Sequence, residues 1–340
     1  MSSSQPPEFL KIQYQTMQST FYEILLRNGF ADEKARTCAS IFADNSLDGV
    51  YTHGVNRFPR FVKYVVEGYV RPDAEPVRES AIGCIEQWDG RLGPGPLNAL
   101  HCTDRAMEIA SVQGMGCVAI ANTNHWMRGG TYGWTAARKG FVFIGWTNTT
   151  ANMPTWGAVN SKLGNNPLVI AVPNQDEAIV LDMAMSQYSY GMLEFYQLKN
   201  QQLPVQGGFT TDGELTTDPG SILKSQRILP VGYWKGAGLS LLLDILATIL
   251  SGGLSVAGIT KQPAEISASQ VYIAIALSKL KNFGTISSAI TQILADYHNS
   301  LPEKGSKILY PGEKVMSVRK ENITNGIPVL KSVWEEIISL

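Results

Sequence analysis

Two short segments of the chain each place a histidine and an arginine among glycines and polar residues. His125 and Arg128 lie in the segment NTNHWMRGGTYGW, and His53 and Arg57 lie in the segment DGVYTHGVNRFP. An imidazole can exchange a proton near neutral pH, and a guanidinium can hold a carboxylate through two parallel hydrogen bonds. The two segments therefore indicate acid–base chemistry on a small organic acid.

The elements around these segments place both of them in loops. An apolar run of strand length, Gly116–Ala121, directly precedes the segment that holds His125, so that segment begins where a strand ends. The segment that holds His53 follows a helix predicted over Asp32–Leu47. If it continues into a helix over Arg60–Glu67, His53 and Arg57 would lie on one helix face. Ligand-binding residues collect in such loops.

The remaining pattern is typical of an α/β protein. Further helices are predicted at Phe9–Asn28, Leu97–Val112, Tyr132–Lys139, from near Ser189, at Lys235–Gly252 as a buried helix, Thr285–Ser300 and Val333–Leu340. Strands are predicted at Ile82–Trp88, Cys117–Asn122, Phe141–Trp146, Leu168–Pro173, Ala178–Met183 and Val271–Leu277, with a loop over Gln206–Ser221. The turn Asn174–Glu177 joins two of these strands in a hairpin, which predicts antiparallel pairing.

Composition excludes several classes of protein. With 340 residues and a net charge of -1, the chain predicts about two domains and lacks the basic surface that nucleic acid requires. The most apolar run, Leu239–Leu250, is short and carries Asp244, so we expect a soluble cytoplasmic protein without a membrane span. Four cysteines without ligand spacing predict no metal site. No Gly-x-Ser-x-Gly, Walker or Gly-x-Gly-x-x-Gly motif is present.

Several longer motifs resemble the malate/L-lactate dehydrogenase type 2 family. They read HGVNRFPRF, NHWMRGGTYGW, GNNPL, SYGMLE and LPVGYWKGAGLS, and the likeness runs from about Phe9 to Leu340. The resemblance implies a homodimer that reduces a 2-oxo acid to the 2-hydroxy acid with NADH or NADPH. The branch that it matches best reduces a diketo sugar acid. Malate or ureidoglycolate dehydrogenases and cyclic imine reductases of the family remain alternatives.

Two function classes outside the family also remain open. One is a protein that binds a sugar acid without turnover, and the other is a hydrolase or lyase in which His53 and His125 act as acid and base.

The resemblance also implies the fold. It predicts a nucleotide-binding domain that is not a Rossmann fold, with a mixed, largely antiparallel sheet, over residues 76–284. A smaller helical domain would combine residues 1–75 with 285–340.

Site residues follow from the matching motifs. His53 matches the proton donor of the best-matched branch, His125 matches an acid–base histidine of ureidoglycolate-type relatives, and Arg57 matches a carboxylate-binding arginine. The residues that match cofactor contacts are Thr149, Ala178, Ile179, Val180, Leu181, Asp182, Met183, Ala184, Trp234, Lys235, Gly312, Glu313 and Lys314. The last three depart from the pattern, because diketo sugar acid reductases read Gly-His-Glu where this chain reads Gly-Glu-Lys.

Two expectations depend on charge. Asp182 predicts a preference for NADH, since a carboxylate accepts hydrogen bonds from ribose hydroxyls and repels a 2′-phosphate, whereas Lys314 favours NADPH. His53 is preferred over His125 as the acid, because a carboxylate held by Arg57 would lie near His53 and raise its pKa.

The aromatic residues of these segments have two interpretations. Trp126, Tyr132 and Trp156 either wall the pocket and exclude water or pack in the core.

Overall fold

The computed structural model describes residues 8–340 as an α/β fold. Its helices are α1 (Tyr14–Arg27), α2 (Asp32–Leu47), α3 (Phe58–Val66), α4 (Gly95–Gln113), α5 (Gly130–Arg138), α6 (Tyr190–Leu198), α7 (Pro219–Ser225), α8 (Trp234–Ser251), α9 (Val256–Thr260), α10 (Phe283–His298), α11 (Glu313–Asn325) and α12 (Lys331–Ile338). Its strands are β1 (Phe9–Ile12), β2 (Val77–Ile82), β3 (Ile85–Asp89), β4 (Met115–Thr123), β5 (Phe141–Thr147), β6 (Met153–Pro154), β7 (Ser161–Leu163), β8 (Leu168–Asn174), β9 (Glu177–Met183), β10 (Gly208–Phe209), β11 (Leu215–Thr216), β12 (Ala268–Ala276) and β13 (Ile327–Leu330).

Seven strands form the main sheet in the order β2-β3-β4-β12-β5-β8-β9. Only the β3–β4 pair is parallel, so the predicted mixed and largely antiparallel sheet is confirmed. Alternate residues of β4 and β12 point to opposite faces, as strand geometry requires. Val118 and Tyr272 pack with α4 and α5, whereas Ala119 and Val271 pack with α8. Both faces of the central strands are therefore buried.

A separate helical core packs beside the sheet. It is built from α1, α2 and α3 together with β13 and α12. β1 pairs antiparallel with β13, and Ile12 lies opposite Ile327. The predicted helix over Phe9–Asn28 is therefore wrong at its beginning, because Phe9–Ile12 pairs with a strand more than 300 residues away in sequence. α10 was expected in this helical unit, but it packs against β8 instead.

Other predicted elements are confirmed with shifted ends or need correction. The single strand expected at Ile82–Trp88 is the hairpin β2–β3, and the loop expected over Gln206–Ser221 contains β10, β11 and the beginning of α7. The segment after α2 does not continue into one helix. His53 ends a short 3-10 turn, Tyr51–His53, and Arg57 directly precedes α3.

The burial predicted for the helix at Lys235–Gly252 is wrong in part. Leu243 and Ala247 of α8 are buried against the sheet, but a stripe of large apolar side chains on its other side is exposed. α8 is also the one helix of the described chain that is long and apolar enough to cross a membrane by length and composition, and two thirds of it is not buried. Its contacts with β4, β5 and β12 are those of a helix packed on a sheet.

A buried carboxylate joins β3 to α4. Glu86 accepts hydrogen bonds from Arg105 Nε at 2.9 Å, Arg105 Nη2 at 2.7 Å, Trp88 Nε1 at 3.0 Å and Arg78 Nη1 at 3.0 Å. The bonds from Arg105, followed by those from Trp88 and Arg78, lower the pKa of Glu86 to about 2 although burial opposes them. The carboxylate of Glu86 is therefore ionised in the folded protein at neutral pH.

We expect Glu86→Gln to lower the free energy of unfolding at pH 7 by about 3 kcal/mol, because it leaves the arginines without their counter-charge. The folded pKa lies below the ordinary 4.5 of this carboxyl, so its contribution is complete above about pH 4.5 and is lost as the pH falls toward 2. Denaturant unfolding at pH 7 and pH 3 measures the difference, with the exposed Glu79→Gln as control. An equal loss at both pH values would contradict this account.

Candidate active site

A cavity of about 1040 Å³ lies between the helical core, the end of β4, β9 and α6. We call it the cleft. His53, Arg57 and His125 all line it, together with Arg128. The structure therefore brings the two sequence segments that carry a histidine and an arginine to one place.

The loop after β4, residues 124–129, is fixed by backbone contacts on both sides. Asn124 is buried and donates from Nδ2 to the carbonyls of Tyr69, Leu92 and Gly93 at 2.9–3.2 Å. Gly95 approaches the same loop so closely that a Cβ would lie 2.2 Å from the carbonyl oxygen of His125. A larger residue at this start of α4 would push the histidine out of place.

This loop also selects the tautomer of His125. Met127 has a φ of 67°, which is unusual for a residue with a side chain, and its N–H donates to His125 Nδ1 at 3.0 Å. Nδ1 is thus an acceptor and carries no proton. The neutral ring then holds its proton on Nε2, where it can donate a hydrogen bond.

His53 faces His125 in the cleft. The ring centroids are 5.6 Å apart with an interplanar angle of 21°. Asn45 holds the 3-10 turn by donating to the carbonyl of His53 at 3.0 Å, and Thr52 Oγ1 lies 3.1 Å from His53 Nδ1. A hydroxyl can both donate and accept, so this partner permits His53 to gain and lose a proton.

Both histidines are neutral at pH 7 in the protein without ligand. Desolvation lowers the pKa of His53 to about 3, with further lowering by the nearby His125 and Arg57. Desolvation also places the pKa of His125 well below its ordinary value, and the charges of Arg57 and Arg60 act in the same direction. A bound anion would oppose the part of these shifts that comes from the neighbouring positive charges.

The two predicted arginines differ in their partners. Arg57 Nη2 lies 3.1 Å from Glu265 Oε2, and both side chains remain about one-fifth exposed to the cleft. Arg128 is almost buried and pairs with Asp48 at 2.5 Å. Asp48 also accepts from Arg319 Nη1 of α11 at 2.7 Å. The charge of Arg128 is therefore used to join the β4 loop to the helical core, while Arg57 remains available to a ligand.

β9 supplies the far wall of the cleft. Val180, Asp182 and Met183 of β9 line it, followed by Ala184, as does Thr149 two residues after β5. Asp182 Oδ2 accepts from the N–H of Gly130 at 2.7 Å, at the beginning of α5, where a helix favours negative charge. Desolvation raises the pKa of Asp182, whereas the bond from Gly130 and the charge of Arg128 oppose this rise.

Gly312 lines the cleft next to β9. It has a φ of 91°, and a Cβ there would lie 3.2 Å from the backbone N of Val180. The backbone at Gly312 is thus packed onto β9 at one of the predicted cofactor positions.

Other predicted cofactor contacts lie outside the cleft. Ala178 is buried below it, and Ile179 and Leu181 alternate to the other face of β9. Trp234 is 63% exposed at the beginning of α8, beside Lys235.

The two residues after Gly312 are also outside the lining. Glu313 accepts from the N–H of Tyr310 at 2.9 Å and lies 3.1 Å from His298 Nε2. Lys314 follows it in α11. The roles of all these residues stay predictions.

The three predicted wall aromatics have different positions. Trp126 lines the cleft and is also buried in the core. Tyr132 is fully buried and donates to the carbonyl of Trp126 at 2.6 Å, so it packs beneath the wall. Trp156 is half exposed against Tyr233 and does not line the cleft.

Some cleft residues were not singled out from the sequence. Arg60 lies three residues after Arg57, a spacing that shares a helix face and could have indicated it. Asn152 and Glu265 gave no local signal, since each lies outside the motifs, whereas Glu194 ends the motif SYGMLE and was not assigned a role.

Comparison with known proteins shows the family of this chain. Residues 12–338 match the family model described as malate/L-lactate dehydrogenase. The chain is 46% identical to the 2,3-diketo-L-gulonate reductase of Pasteurella multocida over 334 residues, which cover 97% of this chain and 100% of the relative.

Solved structures share the whole fold. The sulfolactate dehydrogenase of Methanocaldococcus jannaschii has a TM-score of 0.89 at 26% identity and covers 96% of this chain and 95% of its own. The delta1-piperideine-2-carboxylate reductase of Pseudomonas syringae has a TM-score of 0.84 at 23% identity and covers 97% of this chain and 99% of its own, which shows the fold alone. The family expected from the motifs is confirmed: this chain belongs to the malate/L-lactate dehydrogenase family and is a dehydrogenase-type enzyme.

Proposed function

We propose that this enzyme reduces a 2-oxo sugar acid to the 2-hydroxy acid with NAD(P)H, and that 2,3-diketo-L-gulonate is its substrate. The observation that carries the proposal is the arrangement of Arg57, His53 and His125 around one cleft. Such a reduction requires a proton donor at the carbonyl oxygen, which an imidazole can supply, and a cation can hold the carboxylate beside it. The 46% identity to a 2,3-diketo-L-gulonate reductase over the full length supports the choice of substrate.

The cleft fits a dinucleotide. Its volume of about 1040 Å³ exceeds what a sugar acid alone would fill. Asn152 Oδ1 is buried without a hydrogen-bond partner, while its Nδ2 donates to Asn165 at 3.0 Å. Both amides line the cleft near Thr149. We assign Thr149, Asn152, Asp182 and Gly312 to holding the cofactor, which supplies a hydride to the carbonyl carbon of the substrate.

The side chains of the chain then have distinct tasks. Arg57 fixes the substrate carboxylate, and the adjacent carbonyl oxygen is directed toward His53 and His125. His53 delivers the proton to the developing alkoxide, and His125 donates a hydrogen bond from Nε2 to the same oxygen. Donors at this oxygen stabilise charge that exists only in the transition state.

The hydrogen bonds of the two rings support this division. His125 Nδ1 accepts from Met127 N–H, so protonating it would break that bond and leave a buried N–H without a partner. His53 Nδ1 faces a hydroxyl that tolerates either protonation state. A substrate carboxylate on Arg57 would neutralise the charge that disfavours protonated His53.

We expect His53→Gln to lower kcat for reduction by roughly a hundredfold and to abolish the decline of rate at high pH, because that decline reports loss of the proton from His53 in the complex. His125→Gln should lower the rate but keep the decline. Steady-state kinetics across pH measure both, with His101→Gln on α4 as a control outside the cleft. The opposite pattern would assign the proton to His125.

NADH is the proposed cofactor in preference to NADPH. Asp182 lines the cleft, whereas Lys314, whose charge would favour NADPH, does not line the cleft. A carboxylate at a ribose-binding position disfavours a 2′-phosphate.

The central assay is the loss of NADH absorbance on adding 2,3-diketo-L-gulonate. We expect kcat/KM with NADH to exceed that with NADPH by about tenfold, equivalent to about 1.4 kcal/mol. Asp182→Asn should reduce this ratio while its amide oxygen still accepts from Gly130. Equal values for both cofactors in the wild-type enzyme would remove Asp182 from cofactor selection. Binding of the acid without any turnover would favour a sugar-acid binding protein instead.

Malate, ureidoglycolate and cyclic imine substrates are the alternatives inside the family. We therefore keep all three kinds of substrate in the assay panel. The same Arg57 would hold the carboxylate in each case.

We propose two domains and a cofactor site that is not of the Rossmann type. The separate helical core supports a domain of residues 1–75 completed by the C-terminal segment. The contact of α10 with β8 supports a second boundary nearer to α11 than to residue 285. The largely antiparallel sheet of the domain beginning at residue 76 supports a different mode of cofactor binding. The four free cysteines, three of them buried, support a location in the reducing cytoplasm.

We also propose a homodimer formed through α8. Leu239, Leu242, Ile245, Leu246 and Ile249 form one exposed apolar stripe on this helix. On the same face of the sheet Ile170 of β8 is exposed, and α10 beside it has no buried residue. An open apolar surface of this extent is typical of a subunit interface. Trp234 and Lys235 lie at the beginning of the same helix, so in the dimer they would lie close to the partner.

Light scattering should give twice the chain mass of 37.1 kDa for the wild-type protein. We expect the double variant Leu242→Asp and Ile249→Asp to be monomeric, because two carboxylates within an apolar interface would remain unpaired. Val112→Asp, at an exposed apolar position on α4, is the matched control. A monomeric wild-type protein, or a dimeric double variant, would contradict the proposed interface.

A further inference from the structure

Glu265 brings a carboxylate to Arg57 from a distant part of the chain. It lies in the segment 261–267 between α9 and β12, and its Oε2 is 3.1 Å from Arg57 Nη2. Both side chains line the cleft and are about one-fifth exposed. The pair therefore joins the helical core to the large sheet at the point where the substrate carboxylate is proposed to bind.

The contact uses only part of the guanidinium. Among residues 8–340, Glu265 provides the one hydrogen bond to the Arg57 side chain, and it does so through Nη2 alone. A guanidinium carries five N–H donors in a planar fork, so donors on the remaining edge are free for a second carboxylate. The ion pair therefore fixes the plane of the guanidinium and leaves its other N–H donors free.

Glu265 also determines the balance of charge near His53. The charged and titratable groups that face this ring are His125 from the β4 loop, Arg57 beside α3, Arg128 and Glu265. Asp48 already pairs with Arg128, and Arg60 adds a further positive charge near His125. Glu265 raises the pKa of His53, whereas burial, His125, Arg57 and Arg128 lower it.

We propose that Glu265 is a positioning residue for the reduction. It holds Arg57 by one N–H so that the free edge of the guanidinium receives the substrate carboxylate, and its negative charge favours the protonated form of His53 once substrate is bound. This inference rests on the proposed function and adds a residue to it. In the contrary account, Glu265 occupies the position of the substrate carboxylate and competes with it.

Two substitutions distinguish the effect of the hydrogen bond from Arg57 to Glu265 from the effect of the negative charge of Glu265 near His53. Glu265→Ala removes both, and we expect it to raise KM for the 2-oxo acid about tenfold or more, since a charge-assisted hydrogen bond is lost. Glu265→Gln keeps an oxygen that accepts from Nη2, so KM should return close to the wild-type value. The pH at which kcat for reduction declines should nevertheless move to lower values in Glu265→Gln, because the charge near His53 is gone.

The control is Glu75→Ala, which removes a surface ion pair with Lys34 outside the cleft. A second measurement, calorimetric binding of oxamate as an unreactive 2-oxo acid analogue, follows Arg57 without turnover. We expect its Kd to rise about tenfold in Glu265→Ala and to change little in Glu265→Gln.

The outcomes are distinct. A lower KM or a lower oxamate Kd in either variant would overturn the inference, because it would show competition. Unchanged constants in both variants, or an equal rise in both without a shift in the pH profile, would overturn it as well. If the wild-type protein binds oxamate but oxidises no NADH with any 2-oxo acid, the proposed function fails, and the oxamate constants still test how Glu265 positions Arg57.

Discussion

The ion pair between Arg128 and Asp48 is the contact on which the active site depends. It joins the loop after β4 to the end of α2, and Arg319 extends it to α11. Three parts of the chain that are far apart in sequence thus meet in one charge network, in which Arg128 and Asp48 are nearly buried and Arg319 is about one-third exposed. Removing one partner would leave a charge without compensation in the wall of the cleft, which is costly. Because His125 lies three residues before Arg128, this network also limits the distance between the two histidine rings.

Electrostatics then decides when the site can react. In the ligand-free protein both imidazoles are neutral, since burial and neighbouring positive charges disfavour protonation. In the proposed mechanism, a carboxylate bound to Arg57 would remove part of that disadvantage, so His53 would become a competent proton donor only when an acid is bound. His125 needs no change of protonation, because its backbone hydrogen bond already holds the donor tautomer. The same environment that weakens free His53 as a base thus couples its protonation to binding.

The sequence predicted what depends on local pattern. α2, the β8–β9 hairpin and the helix beginning near Ser189 are confirmed, since turn residues and periodicity determine them, and the mixed sheet that the family resemblance implied is confirmed as well. The periodicity of Phe9–Asn28 does not reveal β1, because the pairing of β1 with β13 is a long-range contact.

For the site, motif residues indicated the two histidines and Arg57, and the fold gathers them in the cleft. Glu265 could not be found, because 208 residues separate it from the arginine that it contacts. The exposed stripe on α8 shows a further limit of sequence-based prediction. An apolar helix can be buried within its own chain or against another molecule, and its sequence is the same in both cases.

The most direct test of the account is a crystal structure of the enzyme with oxidised or reduced nicotinamide cofactor and oxamate. The account predicts that the oxamate carboxylate accepts hydrogen bonds from Arg57 at about 3 Å. It also predicts that the adjacent carbonyl oxygen lies within hydrogen-bond distance of both His53 and His125. A carboxylate held elsewhere in the cleft, with its carbonyl oxygen beyond the reach of both rings, would contradict it.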